Sequence, residues 1–444
     1  MRLRLSALNE RLRSSLFFVP MTAVLVAVVL GTLGLAVDSR IDQGGSNLPL
    51  GLTSTVQSAR TLLSTIAGAT ITFAGIAFSI SLLIIQLASS QYSPRVVHTL
   101  FRDPFNKRVM AMVVGTFTYC LIVLRSVRSA LEQSGTPVIP NLSVAVAVVL
   151  GISTILAVVA FINHSAHAMD VSEIRERVRR ESVEHARHEW ALAEPGPRPA
   201  DPLEAPVPPG CVIRFGRSGW VQQFDADALL RHVPEGGIMR LETYAGRYAI
   251  AGAPLCTLSP APTDVEEATQ KILAFVTVGD TRTMQHDPSY GLRQLADVAL
   301  KALSPGINDP TTAQDSIFHS AAVLAEFLRR DPPPMRREGD DGRTLILPEQ
   351  PTHDDLVRLT FDETRRAAAG QPTVCIYLIE AIDLVRETLA SSGLPDRTGV
   401  LVEEAGLIVA GCEAAGLLPS DLALVRSAYS RRFGPAPPPA TSTA

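Results

Sequence analysis

The chain has 444 residues, 46% of them apolar and 19% charged, with a formal net charge of −4 at pH 7. A balance this close to neutral excludes the electrostatic footprint of a nucleic-acid-binding protein. The apolar residues are bunched into the first third, so the length accommodates a membrane part with one or two folded domains behind it.

Four apolar runs are long enough to cross roughly 30 Å of hydrocarbon at about 1.5 Å per helical residue. They are Leu16 to Val37, Leu62 to Ser90, Val109 to Leu124 and Leu142 to Asn163. The first is too long, and too poorly followed by a small-x-small site, to be a cleavable signal. Within the second run, Thr65, Gly68, Thr72, Gly75, Ser79 and Gln86 recur on one helical face, while Ile71, Phe73, Phe78, Ile80, Leu83 and Ile84 cover the remainder. Such a face is expected to meet another helix, or an aqueous axis, rather than lipid.

Basic residues assign the sides. Arg2, Arg4, Arg11, Arg13, Arg95, Arg102, Lys107, Arg108, Arg175, Arg177, Arg179 and Arg180 flank the runs on one side, against Arg40, Arg60, Arg125 and Arg128 on the other. The positive-inside rule puts both termini in the cytoplasm of a bacterial inner membrane. Arg125 and Arg128 sit at the outer end of the third run, as snorkelling side chains or as a charged pore mouth. Between runs two and three, Ser93-Pro94 predicts a short helix along the cytoplasmic membrane surface, and Asp103-Pro104 repeats the cap.

Residues 1–170 thus read as a four-helix membrane domain, and 171–209 as a juxtamembrane helix, roughly Val171 to Leu192, followed by the proline linker EPGPRPADPLEAPVPPG. Residues 210–260 alternate strand-like runs with glycine turns and form a small β-rich module, with a brief helix capped at Asp225. Helical periodicity follows at about 264–276, 290–303, 310–330, 353–369, 372–391, 399–415 and 420–432, giving an α-helical domain over 261–433, with 331–351 read as a loop and 434–444 as a disordered tail.

The stretch AGRYAIAGAPLCTL resembles the half-repeat of biotinyl and lipoyl carrier domains and of membrane-fusion adaptors, which implies a flattened barrel. Amide attachment of biotin or lipoate needs a lysine, and 210–258 contains none, the three lysines being Lys107, Lys271 and Lys301. The expected fold is therefore an α-helical membrane protein with four transmembrane helices plus a cytoplasmic α+β region, a barrel-like module followed by a helical bundle.

HDPSYGLRQLADVALKALSPGINDPTTAQDSIFH, 286–319, is the densest polar signature. Ser304-Pro305-Gly306 can end one helix, and Asp309 with Pro310 can begin the next, a purely structural hairpin. The alternative is that His286, Asp287, Asn308, Asp309, Asp315 and His319 converge on a ligand. Other signals are weaker. His164 with His167, and His185 with His188, share helix faces that read as interfacial or solvated, and two imidazoles do not make a metal site. The cysteines Cys120, Cys211, Cys256, Cys375 and Cys412 are scattered, odd in number and without a CxxC pair, so they read as buried thiols in a reducing compartment. GxSxG, P-loop and HExxH motifs are absent, and no enzyme activity, cofactor or metal is expected.

FSISLLIIQLASSQYSPRVV, TFTYCLIVLRSV and ALSPGINDPTTA together resemble the bacterial predicted-membrane-protein family labelled domain of unknown function 2254. The resemblance implies four membrane helices and a cytoplasmic C-terminal region, and brings no catalytic or binding residues with it. The functional expectation is a non-enzymatic inner-membrane protein in contact with the lipid bilayer. It self-associates through its second span as a homo-oligomer and forms or gates a conduit. The rival is a membrane-anchored sensor or scaffold whose cytoplasmic region binds an unknown ligand or a protein.

Overall fold

A computed structural model describes residues 18–43, 55–91, 104–127, 140–168, 171–194, 209–284, 286–348 and 350–435. The expected surface helix at Ser93-Pro94, Arg128, most of the proline linker and residues 436–444 lie outside the described residues. The chain divides into two compact units, Met1–Glu173 and Ile174–Ala444.

The first unit contains α1 (Phe18–Gln43), α2 (Val56–Gln91), α3 (Pro104–Ser126) and α4 (Asn141–Ala168). All four are long and apolar enough to cross a membrane. Helix α3 packs against the other three. Small residues set the approach. A Cβ on Gly31 would press on Ile122, one on Gly34 on the Ser143 hydroxyl and one on Gly151 on Ile66, while one on Gly115 would just touch Ala23. Gly31 beside Ile122 and Gly115 beside Ala23 also show that α1 and α3 run in the same direction. Ala59, Leu63, Ala67, Tyr119, Cys120, Val123, Val144 and Ala147 form the main core of the unit. Leu25, Val29, Leu33, Val149, Leu156 and Val159 point outward, as a lipid solvent demands.

Several polar groups inside this unit are matched in pairs. The hydroxyls of Thr116 and Thr154 bond between α3 and α4 at 2.9 Å. The Tyr119 hydroxyl donates to the Ser143 carbonyl at 3.2 Å. Arg60 donates to the Val127 carbonyl at 3.0 Å, closing the end of α3.

The second unit is a mixed α/β region. It takes in all but the first three residues of α5 (Val171–Glu189), whose Ile174, Val178 and Ala186 are buried together with Trp190. A two-residue strand β1 (Ala191–Leu192) then pairs with β8 (Arg330–Asp331). The remaining strands are β2 (Cys211–Arg214), β3 (Gly219–Phe224), β4 (Ile238–Leu241), β5 (Tyr248–Ala249), β6 (Pro254–Ser259), β7 (Val276–Gly279), β9 (Arg336–Glu338) and β10 (Thr344–Ile346). They form a five-stranded sheet of order β2-β6-β4-β10-β9 and a three-stranded sheet of order β5-β3-β7.

Both sheets are open, and the barrel-like module expected for 210–260 is corrected accordingly. Strands from beyond residue 260 complete them: β7 pairs with β3, and β10 lies parallel to β4. Such pairings depend on contacts distant in sequence, and local alternation does not encode them. The segment 331–351, read as a loop, contributes β9 and β10. β9 is Arg-Arg-Glu, an edge strand blunted by charge that shows no apolar alternation.

The helices follow their sequence signals closely. They are α6 (Ala226–Arg231), α7 (Val265–Leu273), α8 (Pro288–Ala302), α9 (Pro310–Leu328), α10 (His353–Ala368), α11 (Pro372–Ser391), α12 (Gly399–Ala414) and α13 (Pro419–Phe433). Asp225 caps α6 by accepting from the Ala228 amide, and Thr352 with Asp355 forms a capping box on α10. Helices α5 and α8 to α13 bury a common apolar core that includes Leu295, Leu324, Phe327, Phe361, Leu378, Ile382, Leu401 and Val425.

Candidate functional site

Helix α2 turns one face to the bundle and another away from it. At about 100° per residue, Ala59, Leu63, Ala67, Thr70 and Ala77 lie on one meridian and are buried. Thr65, Gly68, Thr72, Gly75, Ser79 and Gln86 lie on the opposite meridian, and all six are exposed. A Cβ added to Gly68 or Gly75 would meet nothing within 4 Å. The contrast with Gly31, Gly34, Gly115 and Gly151 is direct, because those four face a neighbour inside the bundle and these two do not.

Two of the hydroxyls on this face, those of Thr72 and Ser79, are already engaged. Thr72 Oγ1 donates to the Gly68 carbonyl and Ser79 Oγ to the Gly75 carbonyl, each at 2.9 Å. Their donors are thus turned back on their own helix, and what the face presents is a shallow channel of glycine backbone and small side chains. Ile71, Phe78 and Leu82 flank it on one side, Ile76 and Leu83 on the other, all exposed. The small-x-x-x-small spacing of Gly68 with Thr72, and of Gly75 with Ser79, lets a second helix backbone approach closely. Arg125, in the last turn of α3, is exposed.

The six polar residues of the 286–319 signature occupy two places. Helix α8 has 15 residues and so separates His286 and Asp287 from Asn308 and Asp309 by about 22 Å. A helical hairpin joins the end of α8 to the start of α9, which keeps the start of α8 away from the 304–310 turn. Asp309 is the N-cap of α9, accepting from the Thr312 amide at 3.0 Å, and these bonds hold its carboxyl below the usual range. Asn308 carries the left-handed backbone of the turn, at φ 48°. Asp315 pairs with the buried Arg175 of α5 at 2.9 Å. His319 Nδ1 donates to the Asp315 carbonyl at 2.7 Å, with Nε2 3.7 Å from Glu176.

At the other end Asp287 is buried, caps α8 through the Ser289 amide and receives Arg282 at 2.6 Å. Burial pushes its carboxyl up, against the pull of Arg282 and Ser289. The Arg282 guanidinium in turn lies 5.4 Å over Trp220 of β3 and 5.2 Å over Tyr290 of α8. This stack ties the three-stranded sheet to the helices. His286 stands beside it at φ 57°, its ring 6.0 Å from Phe224.

Two features escaped the sequence. Glu326 of α9 gathers Arg187, Arg329 and Arg330; burial alone would raise its carboxyl, yet the three guanidinium groups bring it down to about 2. His185, read as a solvated or interfacial residue, instead has its Nε2 sealed from solvent with no hydrogen-bond partner, and its ring lies 6.4 Å from Phe327. Burial lowers it to about 4. A glutamate among arginines on an amphipathic helix, and a histidine on a charged one, carry no periodic sign of burial. Among the described residues no group of three or more His, Cys, Asp or Glu is placed to hold a metal ion.

Uncharacterised proteins of Mycobacterium tuberculosis and Mycobacterium bovis are 29% identical to this chain over 397 residues, covering 86% of it and 75% of each relative. No solved structure matches. The family model described as predicted membrane protein (DUF2254) matches residues 13–383, reaching from the first unit into α11 of the second, and the four apolar helices, the α2 signature and the 302–313 turn all fall inside that match. The chain belongs to this family of membrane proteins.

Proposed function

We propose that this protein is a self-associating integral protein of the bacterial inner membrane whose copies meet along the outward face of α2. The observation that carries the reading is the empty space over Gly68 and Gly75, set against the filled space over every other helical glycine named above. Glycine in a lipid-facing helix lowers helix propensity without contributing packing. A second helix seated in the channel would recover that packing and cover the Thr65 to Gln86 stripe. Twelve basic residues against four support a cytoplasmic side for both termini and the soluble unit. In this reading the protein is not an enzyme, and the soluble unit is its assembly platform.

Close packing is favoured over a conduit because Thr72 and Ser79, the two hydroxyls at the middle of the face, spend their donors on their own helix instead of on a water column. The test is the oligomeric state in mild detergent, with single cysteines as a second readout. Wild type should be oligomeric and Gly75→Leu monomeric. Cysteines at 72 or 79 should cross-link between copies under mild oxidation, while cysteines at 73 or 80 should not. A monomeric wild type, or a Gly75→Leu variant that assembles normally, would remove the proposal. Fast reaction of cysteines at 72, 79 and 86 with a water-soluble thiol reagent would replace packing with a conduit.

A further inference from the structure

Helix α5 is held against the start of α8 by an unusually close contact. Gly291 leaves no room for a side chain, because a Cβ there would collide with the Ser182 hydroxyl of α5 and crowd the Met284 methyl. His185 lies one turn further along α5, with Nε2 enclosed and unbonded. Facing it are Phe327 of α9 and His286 of the segment leading into α8, with His188 and Glu189 nearby on its own helix. The other charged groups at this junction are already engaged: Glu326 with Arg187, Arg329 and Arg330, and Asp287 with Arg282 and Ser289.

We propose that His185 is an acid-sensitive latch, holding α5 against the 282–291 segment while its ring is neutral and releasing it when the ring is protonated. The physical reason is that a charge on Nε2 would sit in an enclosed place with no acceptor, beside the rings of His188 and His286. Glu189 is the acid that acts against this penalty at His185. His286 is poised to pass the strain on, since it holds a left-handed backbone at φ 57° next to the Asp287 cap that joins the helices to the three-stranded sheet.

The sign follows from linkage. A base whose folded value lies below its free value is protonated first in the opened form, so acid favours opening. With His185 at about 4 against an ordinary imidazole value of 6.5, opening between pH 7.5 and pH 5 should rise on the order of 10- to 30-fold.

The experiment is amide hydrogen exchange on the full-length protein in detergent, corrected for intrinsic rates, at pH 7.5 and pH 5. Wild type should lose 10- to 30-fold protection in α5 and in residues 286–294, His185→Gln should lose none, and His188→Gln should behave as wild type. Unchanged wild-type protection, or the full loss in His185→Gln, would overturn the latch. Should His185→Gln fail to fold, titration of the His185 ring by NMR in the wild type decides. A ring neutral to below pH 5 supports the proposal, and one that titrates as an ordinary imidazole refutes it.

Discussion

The carboxylate of Asp38, near the end of α1, caps α4 across the bundle. It accepts the Ser143 hydroxyl at 2.6 Å, the Ser143 amide at 3.0 Å and the Leu142 amide at 2.9 Å. An ionisable side chain in a membrane helix usually signals function. Here three donors at a helix N-terminus account for it, because the first amides of α4 have no partners within their own helix.

Removing this cap should be costly. Asp38→Ala leaves two amides and a hydroxyl without their acceptor, at about 1 to 3 kcal/mol for the unsatisfied groups. Asp38→Asn keeps an acceptor oxygen and should retain part of the stability. Thermal unfolding of the full-length protein in detergent measures both, and equal stability of Asp38→Ala and wild type would contradict the capping role.

The two classes of glycine predict opposite phenotypes. Gly31→Val should disrupt the membrane unit, because its Cβ would come within 2.9 Å of Ile122. Gly68→Ala should leave the fold of a single copy intact, since that position opens onto free space. Protease resistance of the membrane unit reports the first effect, and the sedimentation of detergent-solubilised protein reports any change in assembly caused by the second.

The 304–310 turn is read as structure. Asp309→Ala should cost about 0.5 to 2 kcal/mol through loss of the α9 cap. Pro310→Gly should loosen the same helix end by restoring backbone freedom at its first position. If both variants retain full protection of α9 in hydrogen exchange yet abolish a cellular phenotype, the turn is a ligand site instead.

Glu326 should govern part of the acid limb of stability. Its folded value of about 2 lies below the ordinary carboxyl value of 4.5, so its contribution is fully present above pH 4.5 and is lost as pH falls through that value toward 2. The shift corresponds to at most about 3 to 4 kcal/mol. Unfolding measured from pH 6 to pH 3 should fall steeply in wild type and more shallowly in Glu326→Gln, which starts lower because three arginines have lost their anion.

Topology is open to a direct check. A reporter fused after Ala444 should be active if it works in the cytoplasm, and one inserted near Gly45 should work on the outer side. The reverse pattern would invert the assignment of sides.

The sequence by itself determined the four membrane helices, the helices of the soluble region, the Asp309-Pro310 and Asp225 caps, and the polar stripe of α2. Each is a local property: apolar length, a 3.6-residue period, or a capping residue beside a helix start. Only the tertiary structure decided that the stripe faces away from the bundle, since periodicity groups Thr65, Gly68, Thr72, Gly75, Ser79 and Gln86 but does not orient the group. It alone placed β10 beside β4, separated His286 and Asp287 from Asn308 and Asp309, and enclosed His185 behind Phe327. These outcomes rest on contacts between segments distant in the chain, where burial and pairing depend on what the rest of the molecule brings alongside.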